Sequence, residues 1–124
     1  MTSDPRVSIL VAEDEADHRN LLRDLVEGAG YSVTVAQNGS EAISFAGMNR
    51  FDVALLDIQL PNASGLEVLR YLREHSPSTK AIMITGFGDL KNAMEAREHG
   101  AVDFITKPYK SEDILATIER VLKS

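Results

Sequence analysis

Short apolar runs alternate with longer stretches of helical spacing along the whole chain. The runs are Val7 to Ala12 (VSILVA), Ser32 to Ala36 (SVTVA), Val53 to Asp57 (VALLD), Ala81 to Thr85 (AIMIT) and Val102 to Thr106 (VDFIT), each with the length and β-branched content of a strand. Between and after them, apolar residues recur at three- and four-residue intervals: Leu21, Leu22, Leu25 and Val26; Ala42, Ile43 and Ala46; Leu66, Leu69 and Leu72; Leu90, Ala93 and Met94; Ile114, Leu115, Ile118, Val121 and Leu122. Such spacing predicts one apolar face per helix. The punctuation agrees: Gly28 and Gly30 close the first helix, Asn38-Gly39 turns into Ser40 as an N-cap, Pro77 follows the third helix, Asp89 caps the fourth, Gly100 ends it, and Ser111 caps the fifth.

Strands that alternate with helices over short connections require right-handed crossovers, and hence a parallel sheet covered on both faces. The first, third and fourth strands are the most continuously apolar, as central strands buried on both sides should be. The expected architecture is a doubly wound five-stranded parallel α/β sheet in the order 2-1-3-4-5 with five helices. A length of 124 residues fits one domain spanning residues 1–124, with Met1 to Arg6 as a loose tail.

Composition narrows the function. Thirteen Lys and Arg against nineteen Asp and Glu give a net charge of −6, which argues against direct nucleic-acid binding by this segment. No apolar run approaches the ~20 residues of a membrane-spanning helix. The chain has no cysteine, so it offers no disulfide, thiolate metal site or cysteine nucleophile, and a cytoplasmic location is expected.

In open α/β sheets function gathers at the carboxyl ends of the strands. After the first strand stand Glu13, Asp14 and Glu15; the third ends in Asp57, the fourth in Thr85 before Gly86, and the fifth in Thr106 before Lys107-Pro108. Taken singly, each has an ordinary structural use: acids favour the first turn of a helix, Thr a strand end, Lys the surface. Together they form a set with a chemistry. Carboxylates about 4 Å apart repel by about 4 kcal/mol per pair at an effective dielectric near 20, so Glu13, Asp14 and Asp57 call for a cation. Oxygen-only ligands with room for water and phosphate favour Mg²⁺. A metal-held carboxylate beside a lysine and a hydroxyl is equipped to accept a phosphoryl group, with Asp57 as the nucleophile.

Over essentially its whole length the chain resembles the receiver domain of bacterial two-component response regulators. The resemblance lies in Val11-Ala12-Glu13-Asp14-Glu15, in Leu55-Leu56-Asp57-Ile58-Gln59-Leu60-Pro61 with Gly65, in Ile84-Thr85-Gly86, and in Gly100-Ala101-Val102-Asp103-Phe104-Ile105 before Thr106-Lys107-Pro108. It implies that Asp57 is the phosphoacceptor and that Glu13, Asp14, Asp57 and the backbone carbonyl of Gln59 hold Mg²⁺. It further implies that Thr85 and Lys107 contact the phosphoryl oxygens and that Thr85 and Phe104 form the switch, with a cis peptide before Pro108. The implied partners are a histidine kinase or phosphotransfer protein, an output domain or downstream effector, in transcription among other outputs, and a second copy of the chain on phosphorylation. The implied chemistry is self-phosphorylation and self-dephosphorylation, not turnover as an enzyme.

Some positions depart from the commonest family pattern. Glu13 replaces the more usual Asp, Asn62-Ala63-Ser64 replaces the Met-Asp that often precedes the glycine, Arg97 falls on the stripe of Leu90 and Met94, and His99 replaces a small residue. A haloacid-dehalogenase-like phosphatase needs a second Asp two residues beyond the nucleophile, where Gln59 stands. A flavodoxin-type module needs a phosphate loop after the first strand, where acids stand. His18, His75 and His99 lack metal-ligand spacing and read as surface residues, Tyr31, Tyr71 and Tyr109 as packing or surface residues, and Met83 and Met94 as core filler. Phe87, two beyond Thr85, reads as a shield of the phosphoryl group.

Overall fold

The period-two and period-3.6 segments resolve, in a computed structural model that describes residues 6–86 and 89–124, into five β-α units. In chain order they are β1 (Ser8–Ala12), α1 (Ala16–Gly28), β2 (Ser32–Ala36), α2 (Gly39–Met48), β3 (Val53–Asp57), α3 (Gly65–His75), β4 (Lys80–Thr85), α4 (Leu90–Glu98), β5 (Asp103–Thr106) and α5 (Ser111–Lys123). All neighbours pair in parallel, in the order β2-β1-β3-β4-β5, as the crossover rule demands. The expected tail, Met1 to Arg6, lies outside the described residues apart from Arg6.

Strand alternation divides the core in two. Leu10, Ala12, Ala54, Leu56 and Met83 point to one face, where they meet Ala42 and Ala46 of α2, Val68, Leu69 and Leu72 of α3, and Ala96 of α4. Ile9, Val11, Val53, Leu55, Ile82 and Ile84 point to the other, against Leu22 and Val26 of α1 and Ile114, Ile118 and Val121 of α5. Every residue of β3 is buried, whereas the edge strands β2 and β5 are partly open. A fully buried Leu or Ile contributes about 1.5–3 kcal/mol relative to its exposed state, so these two layers fix the sheet on which the strand ends stand.

Several local expectations need correction. The α2 cap is Asn38, whose Oδ1 accepts from the Glu41 N–H at 2.8 Å, while Ser40 lies inside the first turn with its hydroxyl donating to the Asn62 carbonyl at 2.7 Å. Lys110 rather than Ser111 holds the α5 cap position, and its N–H donates to Asp113 Oδ2 at 3.0 Å. Asp89 does precede α4, but its carboxylate accepts from the Asn92 side chain and not from a backbone N–H.

Met94 is 60% exposed and is not core filler. Ala96 is the α4 residue buried on the sheet, and at 100° per residue Met94 lies about 200° away from it. Arg97, three residues on from Met94, shares that outward stripe and is exposed. Leu21 is likewise 53% exposed, one helical step off the Leu22–Val26 seam.

Candidate functional site

Alternation along the strands decides which strand-end residues meet. Glu13, Asp57 and Lys107 continue the parity of Val11, Leu55 and Ile105, the residues facing α1 and α5. Thr85 continues the opposite parity, that of Met83, and Phe104 lies opposite Met83 in the β4–β5 register. Phe104 packs, half-buried, against the α2/α3/α4 layer. The acceptor group and the Thr85–Phe104 pair thus rise from opposite faces of one sheet edge.

The β3–α3 connection carries Asp57 into position through a close approach. A Cβ on Gly65 would fall well inside van der Waals distance of the Asp57 carbonyl and of Ile58 Cα, so only glycine lets α3 start here. The Gly65 N–H donates to the Ile58 carbonyl at 3.0 Å, and Ser64 caps α3 by accepting from the Glu67 N–H at 3.2 Å. The turn before them has positive φ at Asn62 (51°) and Ala63 (87°). Asparagine tolerates this region; an alanine there stores roughly 1–2 kcal/mol of strain.

Asp57 is 3% exposed and Glu13 1%. Lys107 Nζ donates to Asp57 Oδ2 at 2.5 Å and stands 3.8 Å from Glu13 Oε1, while the Gln59 N–H donates to Asp57 Oδ1 at 2.8 Å. Carboxylate oxygens of Glu13, Asp14 and Asp57 all lie within 4.8 Å of one another. Thr85 is buried at the end of β4, where its carbonyl accepts from the Lys107 N–H at 2.8 Å. The Lys107–Pro108 peptide is cis, as the resemblance implied. A Cβ on Gly86 would meet nothing within 4 Å, in keeping with open space at the strand end. Phe87 lies outside the described residues.

Burial pushes the Glu13 carboxyl above its ordinary range, helped by the Asp57 charge and Asp14 and opposed by the Glu15 N–H and Lys107. Burial alone would lower the Lys107 ammonium, but its hydrogen bond to Asp57 and the charges of Asp57 and Glu13 outweigh that and raise it. A folded-state pKa above the unfolded one means that ionised Glu13 destabilises the fold. The penalty is present above the raised value and absent below the ordinary 4.5. In EDTA, Glu13→Gln should therefore be more stable than wild type at pH 7, and the difference should shrink as pH falls toward 4.5, as read by urea unfolding at a series of pH values.

Three carboxylates and one ammonium leave a formal charge of −2, which one divalent cation would neutralise. Glu13 Oε1 is buried without a hydrogen-bond donor, and the donor set is all oxygen. On both counts the residues fit a hard divalent ion such as Mg²⁺.

The sequence reading missed three residues here. Arg19 Nη1 donates to the carbonyls of Glu13 (3.1 Å) and Asp14 (3.2 Å), tying the acidic turn to α1. His18, read as a surface residue, places Nδ1 3.6 Å from Glu13 Oε1 and 3.9 Å from Glu15 Oε2. Tyr109 buries its hydroxyl, and burial, followed by the Glu13 charge, raises its phenol. The one available signal was the three-residue spacing from Glu15 to His18, which puts them on one helical face. His75 stacks on Tyr71 at the far end of α3, with ring centroids 4.3 Å apart.

The comparisons with known proteins agree with this geometry. The chain is 38% identical over 115 residues to the uncharacterized transcriptional regulatory protein YkoG of Bacillus subtilis, covering 93% of this chain and 50% of YkoG. It is 36% identical to the transcriptional regulatory protein ResD of the same organism, covering 93% of this chain and 48% of ResD. The chain thus spans about half the length of these relatives. Its fold superimposes on a CheY-like response regulator receiver domain protein from Methanospirillum hungatei with a TM-score of 0.91 at 30% identity, over 95% of this chain and 94% of that one. The receiver domain of NtrX from Brucella abortus gives a TM-score of 0.88 at 30% identity, over 94% and 98% of the two chains. The sequence model described as "Response regulator receiver domain" matches residues 9–119, and with the sheet order and the strand-end acids in place, the chain belongs to that family.

Proposed function

We propose that this chain is a phosphorylation-controlled switch in which Asp57 takes a phosphoryl group from a phosphohistidine of a histidine kinase or phosphotransfer protein. The observation that carries the reading is the bracketing of Asp57, with Lys107 on one carboxylate oxygen, the Gln59 N–H on the other, and two further acids within 4.8 Å. In this reading the P–N bond of the donor breaks as an Asp57 oxygen bonds to phosphorus, and the imidazole leaves with its electron pair. Lys107 must release Asp57 Oδ2 for attack and then serve a phosphoryl oxygen, an exchange its long flexible stem permits. Glu13, Asp14, Asp57 and the Gln59 carbonyl would hold Mg²⁺, which supplies the positive charge that lets an anionic donor approach and stabilises the transferring oxygens. The Gln59 side chain, exposed and not acidic, does not provide the acid/base group that a turnover phosphatase places two residues beyond its nucleophile.

The output reading rests on parity. Thr85 shares a face with Phe104, so a hydroxyl drawn toward a phosphoryl group at Asp57 shifts the ground on which the Phe104 ring packs, and with it the surface of α4, β5 and α5. Phosphorylation moves this equilibrium only as far as it favours one state over the other. The partners in this reading are an output domain or effector in transcription, as the names of YkoG and ResD suggest, and a second copy of the chain, all in the cytoplasm where such donors act. Two-dimensional NMR tests it. Acetyl phosphate with Mg²⁺ should shift amides at the strand ends and on the α4–β5–α5 face of wild type. Thr85→Ala should keep the first set and lose most of the second, and a full response of that face in Thr85→Ala would show that the hydroxyl is not the coupling element.

A further inference from the structure

The turn that carries Asn62 and Ala63 through left-handed backbone rests on the N-terminus of α2. Three successive carbonyls meet it. Pro61 accepts from the Gly39 N–H at 3.1 Å, Asn62 accepts from the Ser40 hydroxyl at 2.7 Å, and the Ala63 carbonyl lies where a Cβ on Gly39 would stand. Among the described residues, no other group hydrogen-bonds to these carbonyls. The support is itself firmly built: Asn38 accepts from the Glu41 N–H at 2.8 Å, Glu41 Oε1 accepts from the Gln37 N–H at 3.0 Å, and Gly39 and Ala42 are buried.

An alanine stays left-handed only where its surroundings over-determine it, and such strain persists where it holds a functional group in place. The group held here is the Gln59 peptide. Gln59 lies between Ile58, whose carbonyl accepts from the Gly65 N–H at 3.0 Å to close the loop, and the 61–63 turn; its N–H donates to Asp57 Oδ1 at 2.8 Å. We infer that Gly39 and Ser40 are positioning residues for the phosphoacceptor: they hold the strained turn in place, and the turn aims the Gln59 peptide, with its N–H on Asp57 and its carbonyl toward the metal. The carbonyl's part rests on the Mg²⁺ reading above, whereas the N–H bond to Asp57 is independent of it. Ser40 is the contact to cut, because a methyl at Gly39 would push two backbones apart instead of releasing one bond.

A double-mutant cycle tests this. Two-dimensional amide spectra in EDTA, followed by MgCl₂ titration, would be recorded on wild type, Ser40→Ala, Ser40→Thr, Ala63→Gly and the variant combining Ser40→Ala with Ala63→Gly. In EDTA the Gln59 amide proton, held downfield by its bond to the Asp57 carboxylate, should move upfield in Ser40→Ala and return in Ser40→Thr, which keeps the hydroxyl. Mg²⁺ affinity should fall about fivefold in Ser40→Ala, the net worth of one hydrogen bond. In the Ala63→Gly background the same substitution should cost less than about twofold and move the Gln59 amide less, since glycine holds a left-handed turn without help. A Gln59 amide unmoved by Ser40→Ala, as when the buried Leu60 alone fixes that peptide, would overturn the positioning role. Equal effects in both backgrounds, or saturable Mg²⁺ binding of unchanged affinity in Ser40→Ala, would overturn it too. Absence of saturable Mg²⁺ binding by wild type would overturn the metal reading alone, and the Gln59 amide would still decide this one.

Discussion

Incubated with acetyl phosphate and Mg²⁺, the wild-type chain should gain one phosphoryl group by intact mass, and Asp57→Asn should gain none. An amide at position 57 keeps the shape and the bond from the Gln59 N–H but is no nucleophile. Chelation by EDTA should abolish the gain in wild type as well. Three carboxylates held within 4.8 Å and countered by one lysine present a net negative face, and an anionic donor approaches such a face only once it is neutralised. The two losses have different causes, and restoring Mg²⁺ should rescue the second but not the first.

The largest effect on stability is expected from a backbone close approach rather than from a charge. Gly65→Ala should cost about 3 kcal/mol, or roughly 10 °C in unfolding temperature. The added methyl would collide with the backbone of Asp57 and Ile58, and no side chain is there to swing aside. Because the colliding atoms belong to the acceptor residue, the variant that folds should also be a poorer phosphoacceptor. Gly28→Ala is the control: a Cβ at the end of α1 meets nothing within 4 Å, and the loss of unfolded-state freedom should stabilise the chain by about 0.4–1 kcal/mol. Urea unfolding of the three proteins separates close approach from glycine content.

The fold was legible because its signal is periodic. Strand runs such as VALLD and helix stripes such as Leu66, Leu69 and Leu72 repeat their information over many residues, and crossover handedness then leaves few topologies. Single-residue features were less legible. Asn38 and Ser40 are both good N-caps, and only the position of the Glu41 N–H chooses between them. Met94 fits an apolar stripe on paper, yet the helix is turned so that Ala96 meets the sheet.

Glu13, Asp57, Thr85 and Lys107 could be placed at one sheet edge from the sequence because each ends or directly follows a strand, and strand ends converge whatever the loops do. Arg19, His18 and Tyr109 could not, because their contacts depend on how α1 and the segment after β5 fold back over that edge. No period in the sequence encodes that. The glycine at 65 was visible as part of a resemblance, but its physical reason, the Asp57 carbonyl beneath it, exists only in three dimensions.

The central claim is that Asp57 itself carries the phosphoryl group, and it is tested most directly by locating the modification. Wild type treated with acetyl phosphate and Mg²⁺ would be reduced with borohydride, which converts an aspartyl phosphate to homoserine, then digested and sequenced by mass spectrometry. Homoserine at position 57, absent without donor or with EDTA, is the predicted result; homoserine at position 14, the corresponding longer alcohol at position 13, or a stable phosphate on a serine, threonine or histidine with Asp57 unchanged, would contradict it.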